Sequence, residues 1–199
     1  MTSSARPVPA MQAPRRRPLT AFVMAALLAV AGRAEAKAFL SQEQALRLAF
    51  GEGAASEKKT AYLTQAQLAR ARELAGPGVE VSSALVTRYE GRRDGASLGF
   101  AYFDTHVVRT LPETLMVVVG PDGAIVRVDV VVFSEPEDYL PRDAWFGQFR
   151  GRRLERELSV KRGIHGITGA TLSAQAATDA ARRILAVHQA LAESPGTAR

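Results

Sequence analysis

Cysteine is absent from the 199-residue chain. Its absence excludes disulfides, thiolate-held iron–sulfur clusters, covalent c-type haem and a lipid anchor on cysteine. Any redox role therefore falls to an organic cofactor or an unusual metal site. Histidine is scarce as well: His106, His165 and His188 are the three present, and they show no metal-ligand spacing with one another. Glu135, Glu137 and Asp138 lack the glycine-punctuated spacing of a calcium loop. Asp104-Thr105-His106 resembles a hydrolase fragment, but no serine elbow and no cysteine completes it. Nothing in the chain assembles acid, base and nucleophile around a substrate pocket. A long hydrophobic run is also missing, because the longest, Leu19 to Ala31, is short of the roughly 20 residues of a membrane span.

That short run has a different context. Arg15-Arg16-Arg17 precedes it and Ala34-Glu35-Ala36 follows it. A basic segment, a short apolar segment and an A-x-A site predict a signal peptide over 1–36, cut before Lys37, and an extracytoplasmic, periplasmic location. If left uncut, the same segment would serve as a membrane anchor. Export also changes the charge argument. The whole chain carries +6, but residues 1–36 hold five arginines and one glutamate, a net of +4, so the remainder carries +2. That is no electrostatic footprint for nucleic acid, and no nucleic-acid partner is expected.

After the signal, Ser41 caps a helical pattern reaching Gly51, and Thr64 caps a second from Gln65 to Leu74, with a charged connector between them. Residues 37–78 therefore read as an N-terminal helical segment. Ala75-Gly76-Pro77-Gly78 ends it, and the period changes to two. A strand is expected from Val81 to Tyr89, a turn at Arg93-Asp94-Gly95, and a returning strand from Leu98. Thr114 to Gly120 meets the turn Pro121-Asp122-Gly123, and Val126 to Phe133 returns from it. Successive hairpins predict an antiparallel sheet. With helices before and after it, the fold class is α+β. Arg142 to Phe149 reads as a short amphipathic helix whose Trp145, Phe146 and Phe149 belong to the core or wall a ligand. A disordered tail is expected over 194–199.

One stretch organises the rest: Ile164-His165-Gly166-Ile167-Thr168-Gly169-Ala170-Thr171-Leu172-Ser173. It runs into an amphipathic helix from about Leu172 to Ala192, with Ala177, Ala181, Ile184, Leu185, His188 and Leu191 on one face. Asp179 and Arg183, four apart and acid first, add local support. Thr171 thus stands at a helix start, whose amides suit either an ordinary N-cap or a phosphate.

Thr168-Gly169-Ala170-Thr171, followed by Leu172-Ser173, resembles the flavinylation motif of the FMN-binding domain family. That family includes the FMN-carrying subunits of the sodium-pumping NADH:quinone reductase and of Rnf-type complexes, and small exported relatives. The resemblance spans roughly Val79 to Leu191 and implies an FMN-binding domain over 79–193. It implies FMN joined by a phosphoester to Thr171, installed by a flavin transferase from FAD. It also places Glu135-Pro136 near the flavin, although the glycine common in relatives is missing there. His165 stands where the family often has an acidic residue. Lys161 and Arg162 would add positive charge and raise the flavin's potential. The function so implied is an electron carrier, not a self-sufficient enzyme, relaying between membrane or periplasmic redox proteins. The competing reading is a flavin-free periplasmic binding or sensory module that docks a membrane partner.

Overall fold

The computed structural model describes residues 37–193. The expected signal peptide and the tail after Glu193 lie outside the described residues. Six strands form one antiparallel sheet: β1 (Lys37–Ala38), β2 (Ala55–Tyr62), β3 (Leu85–Arg93), β4 (Ala96–Val107), β5 (Pro112–Val119) and β6 (Ile125–Phe133). The order is β1-β6-β5-β4-β3-β2, a meander of hairpins with β1 added beside β6. Asp94-Gly95 makes the two-residue turn between the paired Arg93 and Ala96, as the sequence predicts. The α+β class holds.

The helices are α1 (Gln42–Phe50), α2 (Gln65–Ala75), the single-turn α3 (Asp143–Phe146) and α4 (Thr171–Ala192). Ser41 with Gln44, and Thr64 with Gln67, form complete capping boxes on α1 and α2. Period-two alternation divides the sheet's side chains between two cores. On one face Tyr102, Leu115, Val117, Val119 and Val128 pack against α2, α3 and α4. On the other, Tyr89, Ala101, Met116, Val118 and Val131 meet α1 through Ala45, Leu46 and Phe50. Gly91 belongs to this second contact: a Cβ there would lie 2.2 Å from the Phe50 ring.

Two expectations need correction. The charged connector between the first helices is β2, paired along its length with β3 from Ala55↔Arg92 to Tyr62↔Leu85. Residues 37–78 are therefore not purely helical. β2 is an edge strand exposed over most of its length, so it carries no apolar alternation to read. Its Lys59 reaches the buried Glu90 at 2.5 Å, an ion pair the sheet register creates. The next strand also begins later than expected, at Leu85 rather than Val81. Ser83 forms a local turn with Leu85, accepting its N–H and donating to its C=O, which holds the preceding residues out of the ladder.

Candidate functional site

α4 runs antiparallel to β4. The Tyr102 hydroxyl lies 2.8 Å from Nδ1 of His188, and Arg183 grips Asp104 through bonds of 2.8 and 2.7 Å. Moving toward the start of α4 therefore means moving along β4 toward Val107. From Arg183 to Thr171 the helix rises about 18 Å, whereas Asp104 to Val107 spans about 10 Å of strand. This brings Thr171 to the rim of the sheet. The same rim carries the 108–111 loop between β4 and β5 and the segment after β6.

At this rim the helix start is open. Ala170 occupies the cap position without a side-chain hydrogen bond, unlike the capped starts of α1 and α2. The first bond of the helix is Ala174 N–H to Ala170 C=O, so the amides of Thr171, Leu172 and Ser173 precede it. Thr171 is not an N-cap. It is the first helical residue, exposed, and its hydroxyl donates to the Ile167 carbonyl at 3.2 Å instead of accepting from an amide. Gly169 enters with φ +85°, a left-handed turn that a Cβ would strain even though nothing crowds it. Thr168 is exposed, and Ala170 is buried. Leu172 leaves 54% of its surface exposed, as Val107 at the same rim leaves 61%.

Ser173 differs from its neighbours. It is 1% exposed, and its hydroxyl has no hydrogen-bond partner. The buried Oε1 of Glu113 and Oγ of Ser134, at the start of β5 and the end of β6, have none either. Buried polar atoms are rarely left unpaired. Three of the four such side-chain atoms among the described residues gather toward this one end of the sheet.

The loop preceding Thr171 is held in place by its backbone. The indole N–H of Trp145 donates to the His165 carbonyl at 2.7 Å, and the His165 amide donates to Oε1 of Gln148 at 2.8 Å. Phe146 and Phe149 are core residues, and Trp145 meets both edge-on. Lys161 and Arg162 are exposed in the turn before Ile164, where Lys161 takes φ 69°.

Glu135 is buried rather than solvated. Its Oε1 accepts from the amides of Arg109, Thr110 and Leu111 at 3.1, 2.7 and 2.9 Å. These bonds, that of Thr110 foremost, hold its carboxyl below the usual range. Pro136 is exposed and opens a single 3₁₀ turn, Glu137–Tyr139. The Arg109 guanidinium lies 4.3 Å over the Tyr139 ring. Glu135-Pro136 and the Thr171 turn thus occupy one rim from opposite sides of the chain. Glu135 spends its carboxylate on backbone there.

Residues 111–186 match the family model described as FMN-binding domain. That segment is similar to an FMN-binding domain. No curated protein and no solved structure matches it. The matched span runs from β5 to most of α4, and it contains every residue that the motif resemblance singled out.

The geometry at the start of α4, within the matched segment, fits the phosphate of an FMN. Uncapped amides, an exposed hydroxyl at the first helical position and the buried, unpartnered Ser173 all belong to one helical turn. A groove of about 640 Å³ lies elsewhere, along the outer edge of β6 between Phe39, Leu48, Val126, Pro141 and Arg150, and holds none of these residues. Sequence reasoning missed the Trp145 and Gln148 hold on His165, for which no local signal exists. It also set aside Asp104 and His106, although strand periodicity alone puts them on one face.

Proposed function

We propose that this protein is an exported flavoprotein electron carrier with FMN joined by a phosphoester to Thr171. The observation that carries the reading is the open first turn of α4 inside the segment similar to an FMN-binding domain. An N–H-rich helix start attracts an anion, and among the described residues no side chain caps this one. A hydroxyl at the first helical position, exposed and oriented by the Ile167 carbonyl, is accessible to a modifying enzyme. In that step the Thr171 oxygen would displace AMP from the pyrophosphate of FAD and lose its proton, leaving FMN bound through its phosphate. The partner for maturation is therefore a flavin transferase.

Covalent attachment suits a protein outside the cytoplasm. Occupancy of a dissociable cofactor falls when its concentration drops below the dissociation constant, and a phosphoester removes that dependence. FMN supplies the electron chemistry; the protein binds, orients and electrostatically tunes it. The Thr171, Leu172 and Ser173 amides hold the phosphate, and exposed Leu172 and Val107 offer apolar surface at the rim. Lys161 and Arg162, in the turn that leads to the motif, add positive charge on the approach. Electrons then pass between membrane or periplasmic redox proteins.

The test is co-export with a flavin transferase, wild type against Thr171→Ala, on denaturing gels under ultraviolet light. A fluorescent band in the wild type alone supports the reading. A dark wild-type band sinks it and leaves a flavin-free binding module.

A further inference from the structure

Asp104, His106 and Glu113 form a cluster for which the electron-carrier reading has no use. Asp104 and His106 stand two apart on β4 and share a face, and Glu113 is the residue of β5 paired with His106. Nδ1 of the imidazole lies 2.9 Å from Oδ1 of Asp104, and Nε2 lies 3.1 Å from Oε2 of Glu113. A neutral imidazole carries one N–H, yet both of its nitrogens face carboxylate oxygens. The geometry is complete only when the cluster holds one further proton, as imidazolium or as a neutral carboxyl.

The surroundings decide whether that proton stays. From α4, Arg183 makes a bidentate pair with Asp104, and it also donates to the Glu80 carbonyl. Asp179, one turn nearer the helix start, is the other charged group of α4 facing the cluster, and burial raises its carboxyl above the usual range. Glu113 is 0% exposed. With the proton bound, Asp104 and Glu113 are balanced by Arg183 and His106. Without it, a net negative charge is left in a largely buried site, which low-dielectric surroundings disfavour. Burial alone would push His106 down; Asp104 and then Glu113 outweigh it and hold the ring up at about 9. Among the described residues, no group of three or more His, Asp or Glu is arranged to hold a metal ion.

We propose that Asp104, His106 and Glu113 form a buried proton-binding site that keeps a second cation beside Arg183 under the cofactor-bearing half of α4. His106 is then a positioning residue: its charge stabilises an anionic cofactor and makes the cofactor's potential depend on the cluster's proton. The link to potential rests on the FMN reading, whereas the proton site does not. Asp179 is eight residues from Thr171, a rise of about 12 Å, and a charge buried at one end of such a distance is screened less than a fully exposed pair.

The experiment has two parts. In flavin-free protein, NMR of the His106 ring is followed against pH. A midpoint near 9, against 6.5 for an unperturbed histidine, is expected; a ring already neutral at pH 7 overturns the proposal whether or not flavin ever binds. In loaded protein, the midpoint potential is followed against pH for wild type and His106→Gln. The expected result is a break in slope at the pH where His106 titrates, absent from the variant. Coincident curves would overturn the link to potential. A chain that cannot be loaded at all counts against Thr171, while the flavin-free titration still decides the proton site.

Discussion

At Thr171 the deciding feature is which bond its hydroxyl makes. A capping threonine accepts from an amide two or three residues ahead; here the hydroxyl donates backward to Ile167 and leaves the amides ahead of it open. Thr171→Ala should therefore cost the helix little, within about 0.5 kcal/mol for a surface change, while removing covalent flavin altogether. A cap would behave in the opposite way, losing about 1 kcal/mol, and thermal melts of flavin-free protein distinguish the two. Glu135 makes the opposite demand. It satisfies three amides of the 108–111 loop, so Glu135→Ala should destabilise by about 2 kcal/mol, measured by denaturant titration. Its folded carboxyl titrates below the usual range, so this contribution is present above the unfolded value and disappears as the pH falls through the folded one. An unchanged denaturation midpoint would contradict the tether. Of these residues, the sequence motif pointed to Thr171 and its neighbours. The three amides behind Glu135 were not legible, because they come from a loop some 25 positions away.

At the scale of elements, the hairpins and the final helix were legible because their patterns are strong. The apolar run of β5 and the alternating valines of β6 flank the Pro121-Asp122-Gly123 turn, and α4 keeps one apolar face for 22 residues. β2 was not legible. Its Ala-Ser-Glu-Lys-Lys-Thr-Ala-Tyr has no buried face to betray it, and pairing with β3 supplies what propensity does not. Docking of α1 depends on a residue that is missing its side chain, since Phe50 lies against the bare backbone of Gly91. Gly91→Ala should displace α1 and cost about 1–3 kcal/mol, the usual range for overpacking. Hydrogen exchange checks this: faster exchange confined to α1 and its contacts is expected. Wild-type protection in α1 would mean that the ring relaxes without cost. The helix that carries Thr171, α4, packs on the other face of the sheet, so flavin attachment should survive this variant.

At the scale of the molecule, and among the described residues, His106, Asp104 and His188 join Glu135 in shaping the pH range of the flavin-free fold. His106, at about 9, has its folded value raised, so its contribution is complete below about 6.5 and is lost as the pH rises toward 9. Asp104, at about 2, is buried, but Arg183 and His106 outweigh that burial; its contribution is lost as the pH falls from about 4 toward 2. His188, driven down to about 4 by burial and by the nearby charge of Arg88, stays neutral beside the Tyr102 hydroxyl. Its contribution is lost between about 6.5 and 4. Stability should therefore peak near neutrality and decline on both sides, by up to about 3 kcal/mol on the alkaline arm. His106→Gln should flatten that arm and, by leaving Asp104 with Arg183 alone, reduce its share of the acid arm as well. Melting temperatures from pH 4 to 9 test the profile, and a wild-type curve still rising from pH 7 to 9 would contradict it.

The central claim concerns one covalent bond, and mass reports it directly. The protein is exported together with a flavin transferase, and the intact mass is taken for wild type and Thr171→Ala, followed by fragmentation of the peptide that contains Thr168 to Ser173. The account predicts a wild-type chain heavier by one FMN less one water, with the added mass on Thr171, and an unmodified variant. An unmodified wild-type chain, or the same added mass on the variant, would contradict it.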